Sequence, residues 1–554
     1  MSEKSKQAVF DQQAKMFKIY QKKRFLVVDD FTEVRAAYKR MLRSFGVREI
    51  DTAASGDEAM ERCAERDYGI IICDYNLDQS KDGQQVLEEL RHIGSLKFTS
   101  LFIIVTAEST REMVLGAIEN QPDDYITKPI SQQLMRSRLD RALLKHQYLF
   151  KIKHAMDEKN YELAIERCDK KIAANTRYTM DCIRYKAQIL NMMNKHQVAK
   201  VIYEEVLQEK DLSWATVGLA KSMLHLGETE GLEELLITLL EKDERYIEAY
   251  DLLSDFYEEA GQFEKAQLAI EKATELSPKS IQRHRRLAKL AEHNNDEVTC
   301  IKAYEEAIRW NYNSCHASSE DYLSLSRKTV EVIQGSSNKE TIEKAKKAIG
   351  LLDRMKKRFP DNVNRAKGLF IEAELYNHQG KTSLAKASLA SAEKIYREIE
   401  TKDVDLRLDF SRSEITLGDK ETGHIELRQL AEEYHDDEAL LEKIDKISDE
   451  PISKSGKASA AKLSKSGIVA YQNKNYDQAI DIFNYALTMF PNHVGVNLNL
   501  VQVILAKIGS DGVTKDLHEA SKKCLASVGE LQEEHPQYAR YQFLSEQYQQ
   551  LLAS

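Results

Sequence analysis

Five polar side chains in the first third of the chain directly follow short apolar runs. Asp29 and Asp30 follow RFLVV, Asp74 follows GIIIC, Thr106 follows LFIIV and Lys128 follows DYIT. Such runs alternate with helical stretches, which is typical of parallel βα units, and ligands of these sheets bind beyond the carboxyl ends of the strands. Carboxylates hold a hard divalent cation such as Mg²⁺, and the cation and an amine together neutralise a phosphoryl group during transfer. We therefore predict that Asp74 is a nucleophile that accepts a phosphoryl group as an aspartyl phosphate.

Each of these side chains has a commoner role when it is taken alone. Asp30 with Glu33 also fits the pattern of a helix capping box. Lys128 alone would be a surface lysine, and Thr106 alone would be a hydroxyl at the end of a strand. Their joint occurrence at four strand ends of one sheet favours a phosphorylation site over these separate structural roles.

A parallel sheet and its helices must position these residues. Apolar runs predict five strands, of which the second is weak, and each strand is followed by a helical stretch of 10 to 15 residues. The predicted strands are Arg24–Val28, Glu49–Ala53, Gly69–Cys73, Leu101–Val105 and Asp124–Thr127, and the predicted helices begin near Thr32, Ser55, Asp82, Ser109 and Ser131.

Residues 24 to about 145 resemble a response-regulator receiver domain of the chemotaxis-regulator type. The resemblance rests on DD (29 and 30), DYNL (74 to 77), VTAE (105 to 108) and DYITKPI (124 to 130). It implies a flavodoxin-like (βα)5 fold with strand order 2-1-3-4-5, which makes the whole chain α/β plus all-α. One departure is the loop DQSKDG beside the site, where Asp78 stands in place of a proline that the family often has.

The resemblance also implies how the acidic residues share a metal ion. Asp74 is the phosphoacceptor and a metal ligand, Asp30 is the direct ligand, and Asp29 acts through water. The backbone carbonyl of Asn76 is the further ligand. The implied cofactor is Mg²⁺.

The resemblance implies that a second set of residues binds the phosphoryl group and changes conformation in response to it. Thr106 is the switch hydroxyl, Lys128 is the salt-bridge partner of the phosphoryl group, and Tyr125 is the aromatic residue that changes rotamer with Thr106. Ala107 is small enough for access. The resemblance further implies a cis peptide bond between Lys128 and Pro129, and it implies that Asn76 and Glu108 tune the lifetime of the phosphoryl group.

The sequence after residue 145 predicts helical repeats. The 554 residues include only 7 Pro and 22 Gly, so few residues interrupt helices. Residues 247 to 280 carry small and aromatic residues at the spacings of a tetratricopeptide (TPR) repeat, the pattern recurs 34 residues later, and a third clear copy begins near Ala460. Weaker copies fill the gaps and predict nine or ten units in an α-helical TPR solenoid.

These patterns predict five segments. They are an N-terminal extension (1–23), a receiver domain (24–145), a repeat array (146–447), a polar linker (448–459) and C-terminal repeats (460–554). No helix breaker separates the last receiver helix from the first repeat, so we expect one continuous helix there. The extension has Phe10, Ala14 and Phe17 at helical spacing, and it either packs on the array or mediates a homodimer.

One repeat supplies a candidate binding groove. TPR arrays hold peptides or protein surfaces on the face formed by the first helix of each repeat. The lining positions are acidic in one repeat and partly basic in the next, so they either bind a basic or mixed-charge segment of a partner or pair with one another across the groove. The candidate residues are Glu248, Asp251, Asp255, Glu258, Glu259, Arg285 and Lys289.

Charge and composition exclude several classes of function. The net charge of −10 disfavours nucleic-acid binding, although Lys454, Lys457, Lys462 and Lys465 form a local basic segment. Seven scattered cysteines without metal-finger spacing predict free thiols in a reducing compartment. The sequence has no apolar run of membrane length and no signal peptide, so we expect a cytoplasmic protein without membrane contact.

Three functional hypotheses follow. The leading one is a two-component response regulator, not an enzyme, that receives a phosphoryl group on Asp74 from a histidine kinase and switches the binding of an unknown protein to its TPR array. An alternative is a protein that competes for phosphoryl groups between a kinase and another regulator. A third, less favoured one is a regulator that acts on nucleic acid through the basic segment.

Overall fold

The computed structural model describes residues 14–77, 81–107, 121–334, 338–512, 514–529, 531, 533 and 535–553 of the chain. The chain divides into two compact units, Met1–Ala317 and Ser318–Ser554. The division therefore lies within the repeat array predicted for residues 146–447, and the predicted linker at 448–459 lies inside the second unit. Neither unit contains a described helix that is long and apolar enough to cross a bilayer.

The first unit begins with a five-stranded parallel sheet in the order β2-β1-β3-β4-β5, which confirms the order implied by the resemblance. Alternate side chains point to opposite faces of a strand, and both faces are buried here. Phe25, Val27 and Ile72 belong to one core cluster, and Leu26 and Ile71 belong to the other. The strands are β1 (Arg24–Val28), β2 (Glu49–Ala53), β3 (Ile70–Asp74), β4 (Leu101–Thr106) and β5 (Asp124–Thr127).

The helices of the receiver domain begin close to their predicted starts. Ser55, Asp82 and Ser131 each cap a helix by accepting a hydrogen bond from a backbone N–H, as short polar residues at this position do. The helix predicted from Ser109 falls outside the described residues. The described helices that flank or leave the sheet are Thr32–Phe45, Gly56–Glu65, Gly83–His92 and Gln132–Asp157.

The N-terminal extension contributes to the core of the receiver domain. Residues 14–21 are helical, and Met16 and Tyr20 are buried in the same cluster as Phe25. The hydroxyl of Tyr20 donates a hydrogen bond of 2.7 Å to Asp140 Oδ1. Neither of the two expected roles of the extension, packing on the array or mediating a homodimer, includes this contact. The spacing that suggests those roles involves Ala14 and Phe17, which are exposed, whereas the buried residues are Met16 and Tyr20. Phe10 lies outside the described residues.

One continuous helix, Gln132–Asp157, leads from the receiver domain into the repeats, as the absence of a breaker predicted. Its first half buries Met135, Leu139 and Leu143 in the core of the receiver domain. Its second half buries Leu149 and Ile152 in a cluster with the first repeat. The predicted boundary at residue 145 therefore falls inside a helix that belongs to both parts.

The rest of the first unit consists of antiparallel helix pairs. Close approach within these pairs depends on small residues; for example, a Cβ atom at Gly218 would lie 2.3 Å from the ring of Tyr203. The helices are Tyr161–Ala173, Thr179–Met192, His196–Glu209, Ser213–Leu226, Leu232–Lys242, Ile247–Glu259, Phe263–Leu276, Ile281–His293 and Glu297–Asn311.

The second unit repeats the helical pattern. Its helices are Glu320–Ile333, Lys339–Arg358, Asn362–His378, Thr382–Glu398, Val404–Leu417, Lys420–Glu433, Glu438–Ile447, Lys454–Gln472, Tyr476–Met489, Val494–Asp511, Lys515–Val528 and Tyr538–Ala553.

The linker predicted for residues 448–459 is wrong over its second half, because the helix Lys454–Gln472 begins inside it. Ser453 caps this helix by accepting a hydrogen bond of 2.8 Å from the backbone N–H of Gly456. The hydroxyl of Ser453 donates a hydrogen bond to the buried carboxylate of Asp445. A Cβ atom at Gly456 would lie 2.0 Å from Asp445 Oδ2. Glycine is therefore present for close packing and does not mark a hinge.

Candidate functional site

Three carboxylates meet at the edge of the sheet where β1 and β3 end. β1 and β3 are paired with Val28 beside Cys73, so Asp29, which follows β1, and Asp74, which ends β3, emerge side by side. Asp29, Asp30 and Asp74 each offer one carboxylate oxygen, and these oxygens lie within 4.8 Å of one another. Asp29 is fully buried, and Asp74 is 6% exposed. The arrangement concentrates negative charge at a largely buried edge of the sheet.

Lys128 at the end of β5 joins two of these carboxylates. Its Nζ donates hydrogen bonds of 3.0 Å to Asp29 Oδ2 and of 3.0 Å to Asp74 Oδ2. The other oxygen of Asp29 accepts a hydrogen bond of 2.9 Å from the backbone N–H of Phe31. The amine thus lies directly beside the predicted phosphoacceptor, where it can offset the negative charge of a phosphoryl group.

Asp30 is placed to bind a cation. The following helix has Phe31 as its N-cap without a side-chain cap hydrogen bond, so the alternative that Asp30 forms a capping box is wrong. Asp30 Oδ1 is buried and accepts no hydrogen bond within the described part of the chain. A buried oxygen without a donor is costly unless something else neutralises it. An all-oxygen set with one such orphaned atom fits a hard divalent cation such as Mg²⁺.

The burial of this site changes the acidity of its groups. Burial raises the pKa of Asp74 to about 6, although the hydrogen bond from Lys128 opposes the rise. Burial alone would lower the pKa of Lys128, but its hydrogen bonds to Asp74 and Asp29 raise that pKa above the ordinary value. Lys128 is therefore positively charged at neutral pH, and Asp74 is mostly ionised there.

The predicted switch residues surround this centre. Thr106 ends β4 and is fully buried, its carbonyl accepts a hydrogen bond of 2.7 Å from the N–H of Lys128, and Ala107 after it is exposed. Tyr125 on β5 is half-buried against the core cluster that contains Ile104. The peptide bond between Lys128 and Pro129 is cis. The side chain of Asn76 is exposed, two residues after Asp74, and Glu108 lies outside the described residues.

The acidic residues of the candidate TPR groove mostly have basic partners. Asp251 accepts two hydrogen bonds from Arg283, of 2.7 and 2.6 Å. Arg286 pairs with Asp255 and Glu258 at 2.6 Å each. The remaining candidates are spread over different environments: Glu248 pairs with Lys221, Arg285 donates a hydrogen bond to the carbonyl of His316, and Glu259 and Lys289 are exposed.

A contact between the receiver domain and the repeats adds residues that sequence reasoning missed. Lys279 Nζ, at the end of the repeat that begins at Ile247, lies 2.9 Å from Asp82 Oδ2 and 4.8 Å from the centre of the Tyr75 ring. Asp82 also caps the helix Gly83–His92. Lys279 and Asp82 are 197 residues apart, so no local pattern could have revealed this pair.

This contact continues back to Asp74, the predicted phosphoacceptor. Tyr75, directly after Asp74, is buried, and its hydroxyl donates a hydrogen bond of 3.1 Å to Gln84 Oε1. The N–H of Gly83 donates a hydrogen bond of 2.9 Å to the carbonyl of Tyr75. A Cβ atom at Gly83 would lie 2.1 Å from the carbonyl oxygen of Asp74. The backbone of Asp74 is therefore packed directly against the start of the helix that contacts the repeats.

Comparisons with known proteins find two kinds of domain in this chain. The family model for the response regulator receiver domain matches residues 25–140, and the family model for a tetratricopeptide repeat matches residues 247–280. Chemotaxis protein CheY-3 of Vibrio cholerae is 28% identical over 118 residues, which are 21% of this chain and 89% of that protein. Chemotaxis protein CheY of Pseudomonas aeruginosa is 25% identical over 118 residues, which are 21% of this chain and 94% of that protein.

Among solved structures, response regulator TrrA of Thermotoga maritima, in complex with Mg²⁺ and BeF, is 29% identical, with a TM-score of 0.20. The match covers 22% of this chain and 98% of that one.

Proposed function

We propose that this chain, which has a receiver domain of the response-regulator type followed by TPR repeats, accepts a phosphoryl group on Asp74 and thereby switches the protein interactions of its repeats. A phosphohistidine of a histidine kinase is the proposed donor. We further propose that the protein acts in the cytoplasm as a regulator and not as an enzyme. The observation that carries the proposal is the direct packing of the Asp74 backbone against the helix that contacts the repeats.

The described residues support the chemistry of this transfer. A carboxylate oxygen of Asp74 attacks phosphorus, the new O–P bond forms as the N–P bond of the phosphohistidine breaks, and the imidazole leaves with the electron pair. Lys128 lies within hydrogen-bond distance of Asp74 and holds a positive charge beside the transferred group. Asp29, Asp30 and Asp74 would hold Mg²⁺, which supplies further charge neutralisation when bound.

The transfer changes the charge around Lys128. In the unmodified site its ammonium group donates to two carboxylates. Phosphorylation adds charge and acceptor oxygens to Asp74, so Lys128 and the buried hydroxyl of Thr106 gain a new acceptor. We propose that the resulting shift in the β3 end is transmitted through Tyr75 and Gly83 to the contact between Asp82 and Lys279. The repeats then gain or lose their protein partner.

Phosphorylation by a small-molecule donor tests the acceptor. The whole protein is incubated with acetyl phosphate and Mg²⁺, and its mass is measured under conditions that preserve acyl phosphates. We expect a gain of one phosphoryl group in the natural protein and in the control Asp67→Asn, whose aspartate is on the surface and pairs with Lys97, and no gain in Asp74→Asn. Equal modification of Asp74→Asn would overturn the assignment.

Binding of the partner tests the switch. The natural protein and Asp74→Ala are each compared with and without beryllofluoride, a mimic of the phosphoryl group, for capture of proteins from the source cytoplasm. We expect at least one captured protein to depend on beryllofluoride in the natural protein alone. If capture by both proteins is identical under all conditions, phosphorylation does not control binding.

A further inference from the structure

Four potential metal ligands come together where the helix Gly83–His92 contacts the repeats. Glu88, Cys315 and His316 each offer one donor atom, and these three atoms lie within 4.8 Å of one another. The ring centre of His92 lies 5.1 Å from that of His316. Glu88 and His92 are four residues apart, which places them on the same face of one helix. Cys315 and His316 are adjacent in the segment after the helix that ends at Asn311.

From this cluster we propose a second metal site, which binds a transition-metal ion of the Zn²⁺ class and fastens the receiver domain to the repeats. Thiolate and imidazole ligands favour Zn²⁺ over Mg²⁺, whereas the Asp29, Asp30 and Asp74 cluster offers oxygen atoms only. The two sites therefore differ in the ions they select. The proposal does not depend on phosphorylation of Asp74.

The distances suit tetrahedral coordination. Bonds of the usual Zn–N, Zn–O and Zn–S lengths place neighbouring ligand atoms about 3.3–3.8 Å apart. His316 Nε2 lies 3.2 Å from Glu88 Oε1, close to that separation. Cys315 Sγ lies within 4.8 Å of both atoms, and the ring of His92, centred 5.1 Å from that of His316, is the candidate for the fourth ligand.

Neighbouring groups hold one of these ligands in position. The second ring nitrogen of His316, Nδ1, lies 3.4 Å from Nε2 of the Gln282 side chain. In the metal-bound form Nδ1 would carry the proton, and a turn of the Gln282 amide would present its oxygen to accept that hydrogen bond, an arrangement common around zinc-bound histidines. The carbonyl of His316 accepts a hydrogen bond of 2.5 Å from Arg285. Gln282 and Arg285, both on the helix Ile281–His293, thus orient the loop residue.

The proposed ligands come from both sides of the contact. Glu88 and His92 belong to the receiver helix whose start packs on the Asp74 backbone, and Cys315 and His316 belong to the repeats. Binding would release the thiol proton of Cys315 to solvent, because the thiolate is the ligand. Neither side alone supplies a full set of protein ligands, so the ion would stabilise the docked arrangement by mass action.

Cobalt(II) is the probe for this site, because a cobalt–thiolate bond gives a charge-transfer absorption that oxygen ligands do not. The whole protein is titrated with Co²⁺ in excess Mg²⁺, so that the aspartate site is occupied by Mg²⁺. We expect a thiolate charge-transfer band and one equivalent bound in the natural protein. Zn²⁺ should displace the cobalt and remove the band.

Matched variants locate the bound ion. Cys315→Ser should lose the band, whereas Cys63→Ser should keep it, because Cys63 is the other cysteine with intermediate exposure and lies outside the cluster. Glu88→Gln and His316→Gln should each weaken Co²⁺ binding by about tenfold or more. Absence of the band in the natural, folded protein, or its persistence in Cys315→Ser, would overturn the proposal.

Discussion

Two acidic clusters of this protein look alike in the sequence and differ in the structure. At the sheet edge, Asp29, Asp30 and Asp74 lie within 4.8 Å of one another, and one oxygen of Asp30 has no hydrogen-bond donor within the described residues. In the repeats, Asp251 is paired with Arg283 through two hydrogen bonds. The first cluster therefore retains negative charge for a cation, whereas the second is largely neutralised within the protein.

The comparison shows why acidic side chains alone do not identify a binding site. The acids of the sheet edge come from strands whose ends must meet, so their convergence follows from the topology. The acids of the repeat lie on the helix Ile247–Glu259, and the basic residues that pair with them lie on the first helix of the next repeat, Ile281–His293. Because these two helices are neighbours, opposite charges on them can pair. At the sheet edge one amine, that of Lys128, serves two carboxylates, and an oxygen of Asp30 is left without a donor among the described residues.

The largest expected effect is that of Lys128→Met on phosphorylation. Removing the amine takes away the positive charge 3.0 Å from Asp74 Oδ2, so the rate of phosphoryl transfer from acetyl phosphate should fall by about 100-fold. Quenched-flow or gel-based detection of the aspartyl phosphate measures this rate. The control Lys97→Met, at a surface ion pair with Asp67, should react normally. A loss of less than threefold in Lys128→Met would contradict the role of this amine.

In the repeat cluster, Arg283→Ala should lower stability. The side chain of Arg283 is 10% exposed and that of Asp251 is 26% exposed, so the variant leaves a partly buried carboxylate without its partner. We expect a loss of about 1–3 kcal/mol in the free energy of unfolding, below the value for fully buried pairs. Denaturant unfolding followed by circular dichroism measures the loss. If Arg283→Ala unfolds like the natural protein, the pair contributes no net stability.

The sheet-edge cluster should also respond to pH. Because burial raises the pKa of Asp74 to about 6 from 3.8, Mg²⁺ must displace a proton from Asp74 below that pH. We expect the affinity for Mg²⁺ to be constant above about pH 7 and to fall by about tenfold per unit below pH 6. Isothermal titration calorimetry between pH 5 and 8 measures it. An affinity that is unchanged down to pH 5 would show that Asp74 is not a ligand with this acidity.

The same shift sets the sign of a stability effect in the metal-free protein. The folded chain binds the Asp74 proton more tightly than the unfolded chain does. The contribution of this group to stability is therefore present below about pH 4 and is lost as pH rises to about 6. Asp74→Asn should remove this dependence.

The smallest effects are expected at the exposed residues of the groove. Glu259→Gln and Lys289→Ala change side chains at the surface, so each should alter the free energy of unfolding by less than about 0.5 kcal/mol. If either variant unfolds with a loss above about 1 kcal/mol, charge pairing in the repeat extends beyond the residues described above. Denaturant unfolding under the conditions used for Arg283→Ala gives the comparison.

Sequence reasoning was most successful where chemistry and local pattern coincide. The strands, the helix caps at Ser55, Asp82 and Ser131, and the continuous helix to Asp157 follow from apolar periodicity and short polar residues. The linker was wrong over 454–459 because lysine and serine are compatible with a helix once a cap such as Ser453 starts it, and because Gly456 is required there for close packing on Asp445. The buried Met16 and Tyr20 were missed because an amphipathic segment does not reveal which surface it covers.

The contact of the receiver domain with the repeats could not be predicted from the sequence. Aspartate and lysine are both common at protein surfaces, and the pairing of Asp82 with Lys279 depends on how the nine described helices between them are stacked. The cluster of Glu88, His92, Cys315 and His316 has the same origin. Neither half has the spacing of a known metal motif, and only the fold brings the halves together.

The most direct test of the central claim uses Trp310 as a reporter, because Lys279 Nζ lies 5.6 Å from the centre of its ring. The chain has two tryptophans, so Trp214→Phe leaves only this reporter beside the contact. We predict that Mg²⁺ and beryllofluoride change the Trp310 emission of the Trp214→Phe variant, and that a further Asp74→Asn substitution abolishes the change. In a separate control, the Trp310→Phe variant, the emission of Trp214 should not change. Unchanged Trp310 emission, when fluorine magnetic resonance shows beryllofluoride bound at Asp74, would contradict coupling between phosphorylation and the repeats.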